Sequence, residues 1–235
     1  GGDGTISEVL SGLSKAGIFN IPVGIVPMGT GNDLARSLNI PLNFPKFALK
    51  VIKNSRKAHF DIIRLNEDFC VNYIGFGFDG QVISYKEFQK TILPKRLSYI
   101  MPVFQALKEL KRYEYHLTIN GKEEVIDGIN LIVTNIPSYS AGIRIYPEAK
   151  IDDKTFEITF LRNIPSPGSL TLLPLMHSKI LRKDKDVIQF QAKNLKIEFK
   201  QNAPEIQVDG DSYKTKEKVF EIDVIPENIE IFCNF

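Results

Sequence analysis

The chain has 235 residues, 43% hydrophobic and 25% charged, with a formal net charge of +2. That length builds one large domain or two modest ones around a real core. The ordinary composition excludes a disordered or fibrous chain, and the small charge leaves no electrostatic footprint for nucleic acid.

No apolar run reaches the roughly 18–20 residues of a membrane span, and no secretory signal pattern is present. Cys70 and Cys233 have no ligand-like neighbours in sequence and read as free thiols of a reducing, cytoplasmic compartment rather than a disulfide. His59, His116 and His177 are scattered, which gives little support to a zinc site or a Ser-His-Asp enzyme.

In chain order, the first feature is the turn Gly1-Gly2-Asp3-Gly4-Thr5. A phosphate-binding turn of this kind normally follows a buried strand. None precedes it and the first residue is not Met, so the sequence reads as a fragment whose opening elements are missing. Thr5-Ile6-Ser7-Glu8 has the form of a capping box, and Ile6, Val9, Leu10 and Leu13 then recur at helical spacing up to Gly17. The apolar run 23–26 reads as a buried parallel strand. A second glycine turn, Pro27-Met28-Gly29-Thr30-Gly31-Asn32-Asp33, precedes a helix through Leu34, Ala35 and Leu38 that Pro41 stops. Pro45 opens a further helix carrying Phe47, Ala48, Val51 and Ile52. Residues 1–57 therefore read as part of an open α/β nucleotide-binding domain.

From residue 58 the pattern becomes strand-like, over 60–65, 69–74, 115–119, 129–135, 156–161, 187–192, 195–200 and 219–225, with Asn120-Gly121 as a hairpin signal. Helical patterns interrupt at 95–112 and 169–183. The fold class expected is α/β plus all-β: the partial α/β domain followed by a β-sandwich over 58–235. A last strand at 229–232 either stays in the sandwich or returns to the first domain.

The two glycine turns carry the chemistry. Each places small residues and one carboxylate where a helix begins, and exposed N–H groups there hold an anion. Gly1, Gly2 and Gly4 let a backbone approach phosphate closely, and Thr5 and Thr30 offer hydroxyls. Asp3 and Asp33 would repel phosphate unless a cation lies between, which argues for Mg²⁺ held partly through water; the other reading is that both merely cap helices. Gly24 to Gly29 has the spacing of a Walker A loop, but Thr30 stands where Lys is required, and no G-x-G-x-x-G occurs at either turn.

GGDGT followed by PMGTGNDLARSL resembles the catalytic domain of the diacylglycerol kinase family, in its soluble bacterial lipid kinase branch. NAD kinases share a GGDGT-type turn, but the GTGND segment is similar to the lipid kinases. NYIGFGFD at 72–79, IYPEAKIDD at 145–153 and QVDGD at 207–211 extend the resemblance along the chain in order. It implies an ATP-dependent, magnesium-dependent lipid kinase, with a cleft between an α/β domain and a β-sandwich. Gly1, Gly2, Asp3, Gly4, Thr5, Ile6, Ser7, Thr30 and Asn32 match ATP-binding positions. Asp3 and Asp33 match the acids of the catalytic magnesium. Asp211 stands where the family has the glutamate that acts as general base, one methylene shorter, with Asp209 the competing candidate. Lys150 and Thr155, through backbone carbonyls, and Asp153, through its carboxylate, match a structural magnesium site.

Asp79 ends a glycine-rich strand and either lines the cleft or serves a turn. Lys95, Arg96, Lys108, Lys111 and Arg112, and then His177, Lys179, Arg182, Lys183 and Lys185, suit either contact with an anionic membrane face or a solvated helix surface. The partners expected are ATP and a lipid alcohol at the inner membrane surface, with a homodimer plausible from sandwich edges. Two other functions remain open on sequence: a non-catalytic lipid- or nucleotide-binding relative, and a kinase of a soluble nucleotide such as NAD.

Overall fold

The computed structural model describes residues 1–42, 44–54, 56–88, 100–140, 142–163 and 185–235. Three helices come first: α1 (Asp3–Lys15), α2 (Asp33–Ser37) and α3 (Pro45–Lys53). In α1, Ile6, Leu10 and Ser14 fall on one face and are buried, the spacing of a half-buried helix. The helix starts at Asp3 with extended Gly2 at its cap, two residues ahead of the expected capping box, and Thr5 lies inside it. The acid in the first turn and Lys15 in the last both suit the helix dipole. Before α2, Asn32 takes the left-handed region at φ 54, which asparagine tolerates better than most residues. Pro45 opens α3, where its missing N–H costs nothing. The run 23–26 makes a single parallel bridge, from Val23 to Ile231, rather than a full strand. Only one neighbouring strand end reaches it.

The chain then runs through β1 (Lys57–Leu65), β2 (Asp68–Cys70), β3 (Tyr73–Gly77), α4 (Phe78–Phe88), α5 (Ile100–Lys108), β4 (Tyr113–Ile119), β5 (Lys122–Gly128), β6 (Asn130–Thr134), β7 (Ser138–Tyr139), β8 (Ile143–Arg144), β9 (Phe156–Leu161), β10 (Val187–Ala192), β11 (Asn194–Glu198), β12 (Ile206–Val208), β13 (Asp211–Ser212) and β14 (Val219–Phe232). Among the described residues two sheets of six strands form, in the orders β2-β1-β14-β11-β4-β5 and β10-β9-β6-β3-β12-β13, with β7 and β8 paired separately. The stretch expected as one strand over 69–74 is broken between β2 and β3. Asp79 lies in the first turn of α4 rather than at a strand end. Of the helix expected over 95–112, α5 covers Ile100–Lys108 and stops short of Lys111 and Arg112; Lys95 and Arg96, and the helix expected over 169–183, lie outside the described residues.

The sheets pack face to face. Ile63, Leu65, Tyr115, Leu117, Leu195, Ile197, Phe220 and Ile222 of the first meet Ile74, Phe76, Leu131, Val133, Phe156, Ile158, Phe160 and Ile206 of the second in one core. Period-two alternation sends these inward. Aromatic edges lock the layer: Phe76 meets Phe220 at 5.3 Å and Tyr115 meets Phe160 at 5.1 Å between ring centres, and the Tyr115 hydroxyl donates to the Phe76 carbonyl at 2.9 Å.

A second core joins the helices to the sandwich through β1 and β14. Phe60 and Ile62, on the opposite face of β1 from Ile63 and Leu65, pack with Ile229 and Ile231 of β14 against Ile6, Leu10, Leu34, Leu38, Ala48 and Val51. The segment at 229–232 is thus the end of one 14-residue strand. That strand starts in the sandwich core with Phe220 and Ile222 and ends against the helices, where Val23 N donates to the Glu230 carbonyl and Phe232 N to the Val23 carbonyl. Cys70 and Cys233 are buried free thiols in different cores. No helix among the described residues is long and apolar enough to cross a membrane.

Candidate active site

The two glycine turns pack against each other. A Cβ on Gly2 would lie 2.9 Å from the Gly29 Cα, and one on Gly29 would lie 2.6 Å from the Gly2 Cα. Glycine at both positions is therefore a condition of the contact rather than of either turn alone. Around it, Met28 N donates to the Gly1 carbonyl at 2.9 Å. The Asn32 side chain closes its own turn, accepting from Gly29 N and donating to the Gly29 carbonyl, both at 2.9 Å.

Asp3 acts across this contact. Its carboxylate accepts Asn32 N–H at 2.5 Å and Asp33 N–H at 2.7 Å, so it caps the start of α2 from the first turn of α1. The capping role is real, but Asp3 caps the neighbouring helix rather than its own. The starts of α1 and α2 therefore lie side by side, with the amides of Asn32 and Asp33 turned to Asp3. Gly1, Gly4, Thr5 and Thr30 are exposed there, and nothing stands within 4 Å of a Cβ built on Gly4. Ile6, by contrast, belongs to the core.

Asp33 is buried, and its Oδ1 accepts Gly142 N–H at 2.7 Å, which ties α2 to the turn between β7 and β8. Beside this tie a cavity of about 370 Å³ lies between Arg36 and Ser37 of α2 and Ser138, Gly142 and Arg144 beyond it. Two guanidinium groups make its wall cationic. Sequence reasoning passed over Arg144 and Gly142; the left-handed φ of 99° at Gly142 is set by a turn that no local signal singled out.

Ser7 donates a short hydrogen bond to Asp209, joining α1 to the turn between β12 and β13. Asp209 also accepts Val71 N at 2.9 Å, Asn72 N at 2.7 Å, Tyr73 N at 3.1 Å and the Cys70 thiol at 3.2 Å. With five donors on it, Asp209 clasps α1 and the segment 70–73 together. Asp211 lies at the start of β13, exposed. Its pKa is raised, mostly by partial burial and further by Glu87, Asp209 and Glu8, with Lys86 opposing. A raised carboxylate pKa favours proton acceptance near neutrality.

Asp79 is buried, and burial raises its pKa while the Tyr139 hydroxyl and Asn130 pull it down. Tyr139 stacks on Tyr73 at 4.7 Å. Asp79 therefore serves no exposed turn.

At the turn over 150–155, Asp153 Oδ1 accepts Thr155 N at 3.1 Å and the Thr155 hydroxyl at 2.6 Å. Glu157, absent from the sequence reading, belongs to the same neighbourhood. It accepts a backbone hydrogen bond from Lys150 and its pKa is pushed up to about 7, chiefly by burial. Its Oε2 has no hydrogen-bond partner. An unpartnered buried carboxylate oxygen beside Asp153 fits a hard divalent cation. Among the described residues no group of three or more His, Cys, Asp or Glu gathers, so backbone carbonyls would have to complete such a shell. At the glycine turns, Asp3 and Asp33 present carboxylates that already accept N–H donors, which suits a magnesium ion that keeps its own waters.

Residues 72–233 match the family described as the YegS C-terminal NAD kinase beta sandwich-like domain, and residues 1–65 match the diacylglycerol kinase catalytic domain. A Staphylococcus haemolyticus protein provisionally named a lipid kinase is 35% identical over 62% of this chain and 46% of its own length. The diacylglycerol kinase of Mycobacterium tuberculosis strain H37Rv is 26% identical over 98% of this chain and 74% of its own. The chain thus aligns with less than half of the first of these relatives. A crystal structure of a diacylglycerol kinase from Bacillus anthracis superposes with a TM-score of 0.72 at 23% identity, covering 100% of this chain and 74% of that one.

Proposed function

The chain belongs to the family of the YegS C-terminal NAD kinase beta sandwich-like domain, joined here to a diacylglycerol kinase catalytic domain, and from that premise we propose that the protein is a lipid kinase that transfers the γ-phosphoryl group of ATP to the hydroxyl of diacylglycerol or a related lipid alcohol.

The observation that carries this reading is the joined pair of helix N-termini. Asp3 caps α2 across the Gly2–Gly29 contact, so the exposed start of α1 is held beside the second glycine turn. An exposed helix N-terminus favours an anion by about 0.3–1 kcal/mol. The Ser7–Asp209 bond holds the Asp211 turn to the same helix α1, which brings a carboxylate of raised pKa toward the phosphate end. Arg36 and Arg144 add positive charge at the cavity beside Asp33. Phosphoryl transfer asks little more of a protein than positioning and charge stabilisation.

In this reading Gly1, Gly2, Gly4, Thr5 and Thr30 line the nucleotide phosphates, and Asp211 takes the proton from the attacking lipid hydroxyl. Asp3 and Asp33 would hold the catalytic magnesium through its waters, and Lys150, Asp153 and Thr155, with Glu157, the structural one. Magnesium, when bound, spreads the negative charge of the phosphoryl group in flight. Domain 1–57 then presents nucleotide and domain 58–235 the lipid, at a membrane surface.

The test is transfer of radiolabel from ATP to a panel of lipid alcohols by the full-length protein, with Asp211→Asn as control. Label on a glycerolipid hydroxyl, lost in the control, is the expected result. Label on NAD without micelles or vesicles would overturn the lipid reading. Nucleotide or lipid binding without any turnover would make the protein a non-catalytic relative.

A further inference from the structure

Helix α5 presents an apolar stripe to solvent. Of its nine residues only Gln105 and Lys108 are polar, and a helix apolar on every side is normally enclosed on every side. Here Pro102 and Ala106 are buried, whereas Met101 and Phe104 stand 55% and 45% exposed. Met101, Phe104 and the exposed Lys108 are spaced i, i+3 and i+7, which puts all three on one line along the helix. Removing the two large apolar side chains from water would be favourable, so the stripe suits a partner that offers an apolar phase.

The chemistry at the end of the stripe is cationic. Lys108, Lys111 and Arg112 are all exposed. Lys111 and Arg112 line an open cavity of about 680 Å³ with Tyr113, Gln201, Asn202 and Glu205, which sets side-chain amides beside the two charges against one acid. The other acid at this end, Glu109, accepts the Tyr85 hydroxyl at 2.5 Å. An apolar stripe that runs into a group of cations is complementary on both counts to one environment, an acyl phase bounded by anionic headgroups.

The stripe is also tied to the proposed site. On α4, Gln81 Nε2 donates to the Glu109 carbonyl at 3.2 Å, which holds the end of α5. Farther along α4, Glu87 Oε1 accepts Ser212 N–H at 3.2 Å, next to Asp211 in the chain. One helix thus links the stripe to the hairpin of the proposed base.

We propose that the stripe of Met101, Phe104 and Lys108, with Lys111 and Arg112 beyond it, docks the protein on an anionic lipid bilayer. Met101 and Phe104 enter the acyl boundary, and the cations meet headgroup phosphates. The inference rests on the lipid-kinase reading and adds to it the face by which the protein meets the membrane that holds its substrate.

No tryptophan occurs in the 235 residues, so Phe104→Trp puts a fluorescent reporter on the stripe, with the unsubstituted full-length protein as blank. On vesicles of equimolar phosphatidylcholine and phosphatidylglycerol its emission is expected to shift to the blue and to be quenched by lipids brominated on the acyl chain. Two multiple variants, Met101→Ser with Phe104→Ser, and Lys108→Gln with Lys111→Gln and Arg112→Gln, are each expected to weaken co-sedimentation with these vesicles at least about tenfold. Their thermal midpoints should hold, because the residues are exposed. KM for dioleoylglycerol in the vesicles should rise in step, while turnover of dihexanoylglycerol dispersed as monomers should not change. A reporter that stays in water on vesicles the protein binds, or a protein that binds none, would overturn the docking face. So would emission that is already blue and shielded from iodide without lipid, which would assign the stripe to another part of the chain or to a second copy. Docking is read here without turnover, so failure to transfer phosphate from ATP to any lipid alcohol would overturn the kinase reading alone.

Discussion

On its inner face the β3 sheet presents Ile74, Phe76, Leu131, Val133, Phe156, Ile158 and Phe160 to the sandwich core. On its outer face the same strands carry Gly75, Gln207, Asn130 and Glu157, which are polar or bare yet equally removed from solvent where polar. The inner face is completed by apolar contact and leaves nothing to bond. The outer face keeps unpartnered atoms at Gln207 Nε2 and Glu157 Oε2, and at Asp79 Oδ2 in the helix packed beside it. An unsatisfied buried polar group costs stability where a buried apolar contact adds to it, so the two faces contribute differently to the fold. Substitutions on the two faces should accordingly separate two kinds of loss.

The largest expected effect lies at the hairpin that closes the outer face. Asp211→Asn removes the proposed proton acceptor and is expected to lower kcat by about 10²–10⁴-fold, with the thermal midpoint held, because Asp211 is exposed. Asp211→Glu, which restores the longer acid usual in the family, is expected to retain activity. A control that lost both activity and stability would return Asp211 to the structural side of the comparison. On the inner face, Phe76→Ala opens a cavity among Phe199, Phe220 and their neighbours and is expected to cost about 3–5 kcal/mol in urea unfolding. Its nucleotide affinity, measured on the remaining folded protein, should stay near wild type.

The inner face was legible in the sequence because alternation at period two survives on strands such as β9 and β11. In β11, Leu195 and Ile197 are buried between exposed neighbours. β1 was harder: it feeds two cores, with Phe60 and Ile62 on one and Ile63 and Leu65 on the other, so its apolar run carries no clean period. The glycine turns were legible as turns at the starts of helices, but not the fact that they touch, since the Gly2–Gly29 contact joins positions a helix apart. Asp3 was legible as a cap, though on the wrong helix, for the same reason. Asp209 and Asp211 look alike in the motif QVDGD. Only the fold shows that the first is enclosed by Ser7 and the amides of residues 71–73. Glu157 and Arg144 had no local signal, because their partners come from distant strands and turns.

Asp209→Asn sharpens the contrast within that hairpin. It replaces one acceptor oxygen by a donor facing Val71 N–H or Asn72 N–H, both of which Asp209 now accepts. The expected cost is about 1–3 kcal/mol of stability, read by urea unfolding. Because the same carboxylate holds α1 through Ser7, KM for ATP should rise while the pH profile of kcat keeps its shape. An altered profile with unchanged stability would move Asp209 back among the candidates for the base.

The smallest expected effect comes from Lys86 on α4, whose charge lowers the pKa of Asp211 against the raising influence of burial and of Glu87, Asp209 and Glu8. The base must be ionised to accept a proton, so activity falls on the acid side as pH drops through its pKa. Lys86→Met removes the one opposing charge, and the acid limb of kcat/KM should move to higher pH. An interaction of this partly solvated kind is worth about 0.2–1 kcal/mol, so the variant should be slower by up to about fivefold below the limb and equal to wild type above it. Added salt should shrink the difference, since screening weakens the Lys86 charge in the wild type. If the limb stayed in place, the acid limb would belong to a different group. Asp79, whose pKa is raised by burial on the same helix, would then be the group to test.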